Sequence, residues 1–79
     1  MARKEFQRFE AVTAVVPGEG GYDAAIAVKA LHEGGAPEFH RVLNGQKFKT
    51  AHEADLAAAG ELERLIDIDA DGNPVFAPQ

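Results

Sequence analysis

The chain has no cysteine and no serine among its 79 residues. Without cysteine there is no disulfide, no thiol nucleophile and no thiolate metal site. Without serine, the hydroxyl nucleophiles reduce to Thr13, Thr50 and Tyr22. Long apolar runs are missing as well. No segment approaches the roughly 20 apolar residues of a membrane-spanning helix. The basic start "MARKEFQRFE" lacks the roughly 7–15 apolar residues of a secretory signal. The expected location is cytoplasmic, with no membrane partner. Positive charge is scarce too: eight Lys and Arg stand against thirteen Asp and Glu, a net charge of −5. That balance opposes non-specific attraction to nucleic acid or anionic lipid.

What is present fits one folded domain over residues 1–79, with ends at 1–5 and 77–79 expected to fray. The apolar fraction of 46% is too high for a disordered chain. Four turn signals divide it: "PGEGG" (17–21), "EGGAP" (33–37), "NG" (44–45) and "DGNP" (71–74). The pieces 6–16, 22–31, 38–43 and 46–49 carry β-branched and aromatic residues or alternate in polarity, and read as strands. Loops this short make antiparallel neighbours of them, in chain order. The period then changes. "TAHEADLAAAGELERLI" (50–66) is a helix opened by a capping box, Thr50 with Glu53. Ala51, Ala54, Ala58, Leu62 and Leu65 fall on one stripe at about 100° per residue. Phe48, just before the cap, is expected to anchor the core. Gly60 either permits close packing or is tolerated at roughly 1 kcal/mol. The fold class is therefore α+β: an antiparallel three- to four-stranded β-meander with one C-terminal α-helix packed on one face, followed by an irregular tail.

If the first hairpin closes symmetrically over residues 17–21, Val16 faces Tyr22 and Val12 faces Ile26. Val12, Ala14, Val16, Ile26 and Val28 then share the helix face. The second face carries Phe9, Val15, Leu31, Phe39 and Leu43, with Lys29 and Arg41 among them. A face this apolar needs a cover, and the candidates are the tail, a second copy in a homodimer, or an unknown protein partner. Leu56, on the far side of the helix, is a weaker second contact point.

Three other chemistries are weighed against plainer accounts. "DIDADGN" (67–73) places Asp67, Asp69, Asp71 and Gly72 as in the first half of an EF-hand calcium loop. Position 12, where a bidentate glutamate belongs, is Pro78, and an acidic turn accounts for the residues equally well. His32, His40 and His52 have no spacing that brings them to one metal ion, so neither metal nor cofactor is expected. Lys29, Arg41, Lys47 and Lys49, with Arg3, Lys4 and Arg8, are the basis of an alternative reading as a nucleic-acid-binding domain. "PGEGG" lacks the lysine and the following helix of a phosphate-binding loop, and no enzymatic activity is expected.

The stretch "GYDAAIAV … FHRVLNGQKFKTAHEADLAAAGELERLID" resembles small bacterial β-meander-plus-helix proteins of unknown function. The likeness rests on the step Phe48-Lys49-Thr50 followed by Glu53 and Ala54. It implies the fold and no activity. The resulting expectation is a non-enzymatic protein-interaction module that acts through an apolar sheet face.

Overall fold

The computed structural model describes residues 2–32, 34–43 and 45–78. Four strands form an antiparallel sheet in chain order: β1 (Arg3–Glu5), β2 (Phe9–Gly18), β3 (Gly21–Ala30) and β4 (Glu38–Arg41). Helix α1 (Ala51–Arg64) packs across β2 and β3. A second, two-stranded sheet follows, made of β5 (Leu65–Ile68) and β6 (Pro74–Phe76). The α+β meander with one helix on one face is thus the observed architecture.

Several boundaries differ from expectation. Toward the ends the described residues are paired. Arg3–Glu5 pairs with β2, and Ala77 exchanges hydrogen bonds with Arg64 through both its N–H and its C=O. Residues 46–49 make no strand beyond a single bridge between Phe48 and Tyr22. Of the NG turn, Asn44 lies outside the described residues, while Gly45 has φ 88° and Gln46 donates to the Leu43 carbonyl. The tail is not irregular. It turns at 69–73 and runs back along β5 as β6.

The helix begins and ends for local reasons. Thr50 is extended and its hydroxyl accepts from the Glu53 N–H at 3.1 Å, satisfying one of the free amides of the first turn. Leu65 is already extended (φ −73°, ψ 114°), so the chain passes directly from α1 into β5. Ala54, Ala58 and Leu62 of the expected stripe are buried with Leu65, while Ala51 is exposed. A Cβ added at Gly60 meets nothing within 4 Å, so this glycine is tolerated on the exposed side rather than required by packing.

The core lies between the sheet and the layer formed by α1 and β5. Ala11, Ile26, Val28, Leu62, Leu65 and Ile68 are buried together, with Phe6, Phe9, Val42 and Phe76 packed around them. Phe48 is half-buried and outside this cluster. It is held instead by two backbone bonds to Tyr22, both 2.9 Å. Gly21 makes that approach possible: a Cβ there would lie 2.4 Å from the Phe48 carbonyl oxygen.

Candidate functional site on the open sheet face

The face exposed to solvent is set by the register of one hairpin. β2 and β3 pair as Gly18↔Gly21, Val16↔Asp23, Ala14↔Ala25, Val12↔Ala27 and Glu10↔Lys29. The chain turns over Glu19 and Gly20 alone, with Gly20 at φ 83°. The strand therefore runs straight through Pro17 instead of ending at Val16. Pro17 is admissible because Tyr22, its partner, directs both backbone groups away to Phe48. No ladder bond is lost at that pair.

This register is one residue away from symmetrical closure over 17–21, and it exchanges the faces of β2. Ala11 and Thr13 are buried under the helix, and Phe9 packs against the core cluster. Phe9 and Val15 therefore belong to the covered side. Val12, Ala14 and Val16, expected under the helix, lie on the open side. The relative placement of β3 and β4 keeps its parity: Ala27↔Phe39 and Ala25↔Arg41 share the open face with Lys29. Of the seven sequence candidates, Lys29, Phe39 and Arg41 stand on this face. Leu31 and Leu43 lie just past the strands, half-buried, and Leu43 has φ 55°.

Row by row, the open face reads Glu5–Glu10–Lys29, Arg3–Val12–Ala27–Phe39, Ala14–Ala25–Arg41 and Val16–Asp23. Its middle is apolar and mostly small. Phe39 stands at the β4 edge with 60% of its surface exposed. A shallow depression of about 790 Å³ is lined by Val16, Phe39 and Arg41 of this face together with Val15 and Pro17, which have the opposite parity in β2. Most of the rim charges are already paired. Arg3 reaches Glu10 at 2.6 Å and Glu5 at 3.3 Å. Asp23 takes Lys47 at 3.1 Å and Arg41 at 3.8 Å. The carboxylate of Glu10 holds the Arg3 guanidinium above its ordinary pKa. Lys29 makes no ion pair among the described residues.

The tail does not cover this face. Leu65, Ile68 and Phe76 pack with Ile26 and Val28, on the helix side. Lys4 fixes β5 there by donating to the Leu65 carbonyl at 2.6 Å.

The acidic turn is folded onto itself. The Asp69 carboxylate accepts from the N–H groups of Asp71 and Asn73, both at 2.9 Å, and Gly72 follows at φ 85°. These bonds hold Asp69 below the usual carboxylate pKa. The carboxylate that a calcium ion would need thus staples its own turn. Among the described residues, no three His, Asp or Glu side chains are grouped to hold a metal ion, Asp67, Asp69 and Asp71 included. His32 and His52 are exposed. His40 is half-buried and lies 3.9 Å from Glu38, with its Nε2 unpartnered.

One polar pair was not anticipated from the sequence. Thr13, buried in the centre of the covered face, accepts from the Ala2 N–H at 3.0 Å and donates to Asp55 at 2.8 Å. That donation is the main cause of a lowered Asp55 pKa. A threonine flanked by valine and alanine in "AVTAVV" reads only as a strand residue, and nothing local marks it as buried. Comparison with protein-family models, curated proteins and solved structures finds no match for this chain.

Proposed function

We propose that this is a protein-interaction domain that works through the open face of its four-stranded sheet, by self-association. The observation that carries the reading is that both covering elements, α1 and the β5–β6 hairpin, lie on the same side. Among the described residues no element lies over Val12, Ala14, Val16 and Ala27, which their neighbours half-bury, or over the exposed Phe39. A contiguous apolar patch rimmed by charge is the usual mark of a contact surface. The absence of a grouped acid, base and nucleophile on this face favours binding over catalysis.

The test is sedimentation velocity at two well-separated concentrations, on the wild type and on Phe39→Lys. The expected result is a wild-type coefficient that rises with concentration and a variant that stays monomeric with an unchanged circular dichroism spectrum. A wild type that is monomeric at both concentrations overturns the reading.

A further inference from the structure

From the register of the open face we infer that its occupant is a second copy of this chain, stacked face to face about a two-fold axis that runs parallel to the strands between β2 and β3. The inference rests on the self-association reading and specifies its geometry. Such an axis keeps each row level and reverses its order, laying β2 of one copy over β3 of the other and β1 over β4. Glu10 then faces Lys29 of the second copy, twice over by symmetry. Val12 faces Ala27, large against small, also twice. Arg3 comes over the exposed ring of Phe39. Lys29, the rim cation with no ion pair of its own among the described residues, thereby gains one.

A two-fold axis across the strands is the competing arrangement. It would set Lys29 over Asp23, which two cations, Arg41 and Lys47, already hold where Glu10 has Arg3 alone, and would lay Glu10 over Val16. Charge therefore favours the axis along the strands. Sheets stacked in this way pack with their strands within about 30° of each other. Four strands at ~4.8 Å spacing and about seven residues at ~3.4 Å rise give a footprint of roughly 450 Å² per copy. A stable complex buries ~800 Å² on each partner, so the pair is expected to be reversible.

The experiment is sedimentation velocity on Lys29→Glu, on Glu10→Lys and on their equimolar mixture. Each reversal alone sets like charges against each other across the axis, and each is expected to be monomeric where the wild type associates. In the mixture Glu10 meets Lys29 and the introduced charges meet each other, so the dimer returns. Repulsion within each chain is the same in both cases, so recovery on mixing reports the contact between copies. A mixture that stays monomeric, or a single reversal that associates like the wild type, overturns this axis and leaves self-association standing. A monomeric wild type overturns both, and leaves a different protein as the partner of the face. Should a reversal fail to fold, Phe39→Glu and Phe39→Lys replace it. Over Arg3 the first is expected to weaken the dimer less than the second, and equal loss overturns the axis.

Discussion

The two faces of the sheet come from the same strands, yet they meet different surroundings. On one face Ala11, Thr13, Ile26 and Val28 are buried beneath α1 and β5. On the other, Val12, Ala14 and Ala27 remain half-buried and Phe39 largely exposed. Charge divides along the chain in a similar way. Residues 1–50 hold seven basic and six acidic side chains, while 51–79 hold one and seven. The helix and hairpin carry the net negative charge of the molecule, and the sheet is close to neutral. The covering elements lie over the face with the larger apolar side chains, and the charged residues Glu5, Glu10, Asp23, Lys29 and Arg41 rim the other.

The comparison breaks most directly at the core. Ile26→Ala is expected to cost about 2–5 kcal/mol, because the cavity it leaves is closed on every side. Val12→Ala, one strand away on the open side, is expected to change monomer stability by less than about 1 kcal/mol. Urea titrations of the two variants in dilute solution measure both, and equal losses would mean that the faces of β2 are exchanged. Thr13→Val comes next. It removes the acceptor for Ala2 and the donor to Asp55 inside the covered layer, and is expected to cost about 1–3 kcal/mol in the same assay.

The helix allows a smaller test with the opposite sign. Gly60→Ala meets no neighbour and is expected to raise stability by about 0.5–1 kcal/mol, read as a higher thermal midpoint. If it lowers the midpoint, the outer side of α1 is in contact with something.

The smallest effect is acid sensitivity. Asp55 and Asp69 are both lowered from 3.8 in the folded chain, Asp55 chiefly by Thr13 and Asp69 chiefly by the Asn73 N–H. Groups depressed by folding contribute stability that is complete above their unfolded value and is lost as pH falls through the folded one. Stability should therefore decline below about pH 4. Asp69→Asn is expected to flatten part of that decline in an acid titration followed by circular dichroism.

How far the fold could be read in advance depended on which signals were local. The Thr50 cap and the alanine stripe are local, and they placed α1. The meander followed from Gly20, Gly21 and the short connections. The faces were a different matter. In "AVTAVV" every residue is apolar or small, so alternation gives no parity. The side then hangs on whether the turn contains two residues or five. Gly18 and Pro17 look like loop residues and are strand residues, which shifts the register by one. The same shift moved Phe9 and Val15 off the candidate face and left Lys29, Phe39 and Arg41 on it. Asp67, Asp69 and Asp71 spell half a calcium loop. Only the three-dimensional turn shows that Asp69 is committed to its own backbone.

Pro17 has a further consequence. β1 ends its pairing at the level of Thr13, whose N–H donates to Ala2, so the rest of β2 is a bare strand edge. Two residues on from Thr13, Val15 still offers an N–H on that side, and Pro17, the next residue of that row, has none to offer. At the opposite edge β4 is only four residues long and carries Glu38 and Arg41. A flat apolar face with open edges is the usual start of a fibril, because added strands lengthen the sheet while its faces stack. Here Pro17 shortens one edge to Val15 and the other is brief and charged, so a pair closed through the open face has little edge along which to grow.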